Sequence, residues 1–368
     1  MQKNICLALI GGAALAGLAI LPGAAQQRAL PPVPPPQNVP APGPQTSAPY
    51  APLTILPGGI VMPLFPAGSP YLNAQKVTVP EVYNMDARVQ GRINSIVSIH
   101  NPSIEVHFAP AGFNNGTAVI LAAGGGHNTL NVGSEAADFV PWLYNHGMTA
   151  IILRNRLRRD GYNPKTDEVY DAQQAIRLVR AHAKEWNIDP SKIGIVGFSA
   201  GAELSAPAAI AFDEFDSKNN APSDPLAGVS SRPDFVGLVY PGPSPFVRGA
   251  KPPIPKNAPP AFIVCAGWGD KVHAVWSDEY FSAMLQAGIP NVEMHIYARG
   301  HHPGDRIGPD EPVPTAGLGD KGGIAFGTWP DRMTDWMHDI GLFNKLGVVT
   351  QAAKDVDAFV KAPPPPAR

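Results

Sequence analysis

Seven short apolar runs punctuate the chain between residues 104 and 298: IEVHFAP, GTAVILAAG, TAIILRNR, IGIVGF, FVGLVYPG, AFIVCAG and EMHIYA. Between several of them the period changes. EVYDAQQAIRLVRAHAKEWN (168–187) places Ala172, Ala175, Ile176, Val179, Ala183 and Trp186 three or four residues apart, which gives a helix one apolar face. SDEYFSAMLQAG (277–288) ends on Gly288, a helix stop. Buried strands alternating with amphipathic helices predict a mainly parallel sheet covered by helices on both faces, because each element must hide its apolar side. In such a sheet, chemistry is expected at the carboxyl ends of the strands.

The run at 193–198 continues as IGIVGFSAGAELSAPAAIAF. A strand, Gly-x-Ser-x-Gly and a helix-compatible segment form the context of a nucleophile elbow. The serine must project from a tight turn, so Gly197 and Gly201 keep side chains out of its way, and the Ala200 N–H at the helix start is available to an oxyanion. In a glycine-rich chain the bare pattern is weak, and the flanking strand and helix carry the assignment of Ser199 as nucleophile.

A serine nucleophile needs a base, and the base an orienting acid. AFIVCAGWGD ends in Asp270 and EMHIYARGHHPGD runs into His301 and His302, both just after later strands. Asp270 is the expected acid; the alternative is that it caps a turn. Asp278, inside the next helical pattern, is a poorer choice. The second oxyanion donor is expected from Gly124, Gly125 and Gly126, which follow a strand. No Gly-Lys-Ser/Thr accompanies them, so a nucleotide site is not expected. His301, His302 and Asp305 form no recognised metal spacing, and neither metal nor other cofactor is expected. Asp171 either compensates a helix dipole or braces the elbow. Cys265 is read as a buried strand residue and, once Cys6 is removed with a leader, can form no internal disulfide.

The two ends differ from the middle. MQKNICLALIGGAALAGLAILPGAAQQ has one Lys, an apolar stretch and small residues, which predicts a signal peptide over 1–25 and a periplasmic or secreted protein, without stable membrane insertion after processing. Of the 43 prolines, 19 crowd into residues 1–74 and 361–368. Residues 26–74 read as a Pro-rich arm whose more apolar later half packs on the domain, and 26–71 are expected to hold no helix or paired strand. A catalytic domain is expected over 75–360 and a Pro-rich tail over 361–368. A net charge of −2 gives no reason to expect nucleic acid as a partner.

AAGGGHNTL, GMTAIILRNRL, DAQQAIRLVRAHA, IGIVGFSAGAEL, PPAFIVCAGWGDKV, HIYARGHHPG and GTWPDRMTDWM follow one another in the order seen in the bacterial acetylxylan/feruloyl-type esterases of the α/β-hydrolase superfamily. The chain resembles that family from about residue 95 to 345. The resemblance implies an α/β-hydrolase fold without a large lid domain, with Ser199 as nucleophile, Asp270 as acid and His302 as base, and His301 as the alternative base because Pro303 replaces a family glycine. It departs from the family at Ala123, Asn155, Ala202 and Glu203. Phe198, Trp268 and Trp276 are expected to narrow the acyl pocket or stack on a sugar, although Phe198 reads equally well as core; His127 is expected to bind substrate. The expected substrate is a small-molecule or oligosaccharide ester with a short acyl group. The rivals are a peptidase or amidase on the same triad and an inactive wall-associated binding protein.

Overall fold

A computed structural model describes residues 48–87, 89–303 and 325–363. The signal-peptide reading (1–25), the first part of the arm (26–47), Asp305 and residues 364–368 lie outside them.

The strands are β1 (Ile60–Pro63), β2 (Val82–Met85), β3 (Ile93–Val97), β4 (Ser103–His107), β5 (Ala118–Ala122), β6 (Thr149–Arg154), β7 (Ile193–Phe198), β8 (Phe235–Val239), β9 (Ala261–Trp268) and β10 (Glu293–Arg299). The helices are α1 (Phe139–Asn145), α2 (Val169–His182), α3 (Ala200–Ala208), α4 (Phe212–Lys218), α5 (Lys271–Gln286), α6 (Trp329–Asp339) and α7 (Gln351–Lys361). The main sheet runs β1-β4-β6-β5-β7-β8-β9-β10. From β6 to β10 every pairing is parallel; β4 joins β6, and β1 joins β4, antiparallel. The separate pair β2–β3 is antiparallel.

Alternate strand residues feed two cores, as the pleat requires. Val119, Leu121, Ile152, Val196, Phe198 and Val264 pack with Phe139 and Leu143 of α1 and Trp329, Met333 and Trp336 of α6. On the other face, Ile120, Ile151, Ile193, Ile195, Val236 and Ile263 meet Ala172, Ile176 and Val179 of α2, Leu204 of α3, and Tyr280 and Met284 of α5. Each such aliphatic burial contributes roughly 1.5–3 kcal/mol. Phe198 is fully buried in the first core, which decides its reading in favour of packing. Cys265 is also buried, and burial pushes its thiol up to about 11.

The expectation that residues 26–71 lack a paired strand is corrected by β1, which pairs Ile60 with Val106 and Met62 with Ile104. The segment escapes its neighbours' proline content because Pro63 comes last in the strand and β1 is an edge, where a missing N–H costs no ladder bond. A buried ion cluster fixes the preceding residues. Arg154, fully buried, bonds Glu105 at 2.8 Å, Glu81 at 3.2 Å and the Leu53 carbonyl, while Glu105 accepts the amides of Ile55 and Leu56. Among the described residues no helix is long and apolar enough to cross a membrane.

From β5 the chain crosses to β6 on one side, then returns past β5 to β7 on the other. The winding direction therefore switches between β5 and β7, and the carboxyl ends of these two strands border a crevice.

Candidate active site

Ser199 follows β7 directly at φ 52°, ψ −117°, backbone that a non-glycine residue holds at a cost of about 1–3 kcal/mol. Its surroundings impose that conformation. The Ser199 N–H donates to Val239 O at 3.0 Å, and its carbonyl accepts from Ala202, Glu203 and Gly242. A Cβ on Gly201 would lie 1.9 Å from the Ala122 carbonyl, and one on Gly197 would lie 2.4 Å from the Gly201 carbonyl. The two glycines thus let α3 start hard against β5 and β7, with Ser199 at its first turn.

His302 Nε2 lies 2.9 Å from Ser199 Oγ, and His302 Nδ1 lies 3.3 Å from Asp270 Oδ2. His301 sits instead over Gly269, where a Cβ would be 2.6 Å from its Nδ1. Asp270 ends the β9 connection as the N-cap residue of α5 and is almost fully buried. Burial pushes its carboxyl up, but hydrogen bonds from His273 and His302 outweigh that and hold it below its ordinary value. Asp278 lies in the body of α5 and is exposed.

The three expected oxyanion glycines divide. Gly124 N–H is already committed to Glu135 Oε2 at 2.8 Å, which corrects its assignment as a donor to substrate. Gly125 (φ 128°) and Gly126 (φ 61°) take left-handed backbone, and a Cβ on Gly125 would lie 2.1 Å from Thr129 O. Their amides have no acceptor among the described residues, and both line the same cleft as Ser199 and Ala200. Glu135 is fully buried and also accepts from Tyr240 OH at 3.0 Å; burial raises its carboxyl above the ordinary value despite those bonds and the nearby His302.

His127 is corrected from substrate-binding to bracing. It is buried, with Nδ1 2.7 Å from Glu168 and Nε2 2.9 Å from Glu203, so neither nitrogen is left for a ligand. Burial works against its charge, but the two carboxylates prevail and raise it to about 9. Trp268 does not narrow the cleft: it is 66% exposed, outside the cleft lining, with Lys271 Nζ 5.3 Å from its ring centre. Trp276 does line the cleft. Asp171 stands in the first turn of α2, where dipole compensation was one of its two expected roles, and it has a further one. It accepts the Arg156 N–H at 2.8 Å and the Arg156 guanidinium at 2.7 Å, fixing the chain just after β6; burial pushes it up to about 6 although Arg156 opposes this.

The cleft, about 360 Å³, is lined by Gly125, Gly126, Ser199, Glu203, Trp276 and His302, with His273 and Glu135 beside them. A serine and an imidazole at hydrogen-bond distance, beside backbone N–H groups with no acceptor among the described residues, form an arrangement that suits acyl transfer. A larger groove of about 780 Å³, between Tyr50, Phe65, Tyr71 and Leu226, holds none of these groups. Asp270, His273 and His302 bring three ligand atoms within 4.8 Å of one another. The two imidazoles are stacked nearly parallel, and both meet the carboxylate. Sequence reasoning missed His273, Glu135, Tyr240 and Glu168. A signal existed for His273, which follows Asp270 by three residues at the start of a helix. Nothing local marks the others.

Residues 105–233 match the family model described as BD-FAE. An acetylxylan esterase of Xylanibacter ruminicola is 28% identical over 254 residues, 62% of this chain and 45% of that protein. The chain spans less than half the length of the curated relatives it matches. Among solved structures, an acetyl ester-xyloside bifunctional hydrolase from Caldicellulosiruptor lactoaceticus superposes with a TM-score of 0.56 at 25% identity, over 77% of this chain and 97% of that one. A thermophilic esterase of Thermogutta terrifontis matches with a TM-score of 0.53 at 20% identity, over 79% and 96%. The chain resembles these esterases and has the α/β-hydrolase fold, a large, mostly parallel central sheet flanked by helices.

Proposed function

We propose that the chain is a serine carboxylic ester hydrolase that removes short acyl groups, acetyl foremost, from a hydroxyl-rich alcohol such as a plant-type oligosaccharide. The observation that carries the reading is the 2.9 Å contact of Ser199 Oγ with His302 Nε2, in a cleft whose Gly125 and Gly126 N–H groups have no acceptor among the described residues. The resemblance to an acetylxylan esterase supports the acetyl and xylan side of the reading.

Ser199 Oγ attacks the acyl carbonyl carbon while His302 Nε2 takes its proton. The carbonyl oxygen becomes an oxyanion, held by the Ala200 amide and the Gly125–Gly126 turn. Asp270 accepts the His302 Nδ1–H, fixes the tautomer and stabilises the imidazolium. The C–O bond to the alcohol breaks, and His302 returns the proton to the leaving oxygen. Water then repeats the sequence on the acyl-enzyme and releases the acid and Ser199. Glu135 occupies the Gly124 amide, which leaves the oxyanion to the two glycines that follow and line the cleft. Export is part of the proposal and rests on the leader-like sequence over 1–25.

The test is kcat/KM along a nitrophenyl ester series from acetate to laurate, beside acetylated xylo-oligosaccharides and feruloyl esters. Each methylene buried in a fitting pocket adds about 0.8 kcal/mol, so a long-chain enzyme rises along the series. Here acetate is expected to be best, with activity falling beyond about four carbons. A maximum at octanoate or longer rejects the short-acyl reading.

A further inference from the structure

The triad accounts for one of two histidines that meet Asp270. His273 Nδ1 hydrogen-bonds Asp270 Oδ1, while His302 Nδ1 takes the other oxygen, Oδ2. The two imidazoles stack, with ring centres 3.8 Å apart and planes inclined by 8°. Trp276 meets the His273 ring edge-on at 5.1 Å, and Tyr240 meets His302 edge-on at 5.2 Å. The His302 ring therefore packs face to face on His273 and at nearly a right angle to the Tyr240 ring. His302 follows β10, whose residues are largely half-buried or exposed, so the backbone alone gives its side chain little support. His273 stands in the first turn of α5, one turn after Asp270, on an element anchored by Tyr280 and Met284.

We propose that His273 is a positioning residue of the catalytic group. It fixes the Asp270 carboxylate by occupying Oδ1, which aims Oδ2 at His302, and its flat face stops the His302 ring from swinging off Ser199. This rests on the triad reading above. The two contributions are separable. The N–H donated to Asp270 sets the direction of the carboxylate, and the ring face sets the plane of His302.

His273→Phe keeps a flat ring and loses the N–H; His273→Asn keeps an N–H donor and loses the ring. Both are measured by kcat and KM on nitrophenyl acetate, by the rate of Ser199 phosphonylation with a fluorophosphonate probe, and by thermal unfolding. Loss of one hydrogen bond to a charged group predicts that Phe lowers kcat and the phosphonylation rate together, roughly 10- to 150-fold, with KM within about twofold. Asn, which restores the donor, recovers much of that loss. The proposal is overturned if KM rises while phosphonylation is unchanged, since His273 is then only a cleft wall. It is overturned equally if Phe and Asn lose the same activity in step with a fall in unfolding temperature, or if neither changes any rate. Absence of labelling in the unmodified chain would instead reject the triad reading itself.

Discussion

The site has two halves built on different principles. The proposed nucleophile half, after β5 and β7, is made of backbone: a strained Ser199, two glycines with no room for a Cβ, and a Gly124 amide held by Glu135. It stands on strands buried at every residue. The acid–base half, after β9 and β10, is made of side chains: Asp270 shared by His273 and His302, with Trp276 and Tyr240 against the imidazoles. Its last strand is half-buried or exposed along its length. Backbone fixed by close packing resists added atoms. Side chains fixed by one another are sensitive to subtracted atoms.

That contrast breaks first, if it breaks, at the histidines. His302→Ala is expected to lower kcat roughly 10³-fold or more, as for a lost general base, while leaving the unfolding temperature nearly unchanged. His301→Ala should cost far less; equal and mild losses would remove the acid–base half from the account. The opposite signature is expected at Gly201→Ala, where one methyl group must displace backbone at Ala122. Overpacking of that kind should destabilise by about 3 kcal/mol and take activity with it through the moved elbow, read by denaturant unfolding.

Acidity and alkalinity should part the halves. His127 braces the glycine turn and has a folded value near 9, raised above the unfolded one. Its contribution, on the order of 2–3 kcal/mol, is fully present below about pH 6.5 and is lost as pH rises through 9. Asp270 has its value lowered, so its contribution is present above the unfolded value and is lost as pH falls through the folded one, below the ordinary carboxylate range. Unfolding curves of the wild type and His127→Gln should therefore converge on the alkaline side and separate at pH 6. A constant difference across that range would remove His127 as the brace.

The same contrast explains what could be read from the sequence. The seven apolar runs correspond to β4–β10, and the helical face at Ala172–Val179 is buried as the spacing predicts. Gly-x-Ser-x-Gly was legible because a backbone requirement leaves a glycine pattern in a short window. His127 was misplaced because the partners that decide its position, Glu168 and Glu203, are chosen by the fold and leave no local pattern. Glu135 was invisible for the same reason: its partners, Gly124 and Tyr240, lie 11 and 105 residues away. β1 was hidden by the prolines around it.

The central claim is that His302 activates Ser199. The most direct measurement is the second-order rate of fluorophosphonate labelling, with the modified peptide located by mass spectrometry, in the wild type, Ser199→Ala and His302→Ala. One label is expected, on Ser199, absent from Ser199→Ala and slowed by roughly two to four orders of magnitude in His302→Ala. Labelling at another serine, or an undiminished rate without His302, would contradict it.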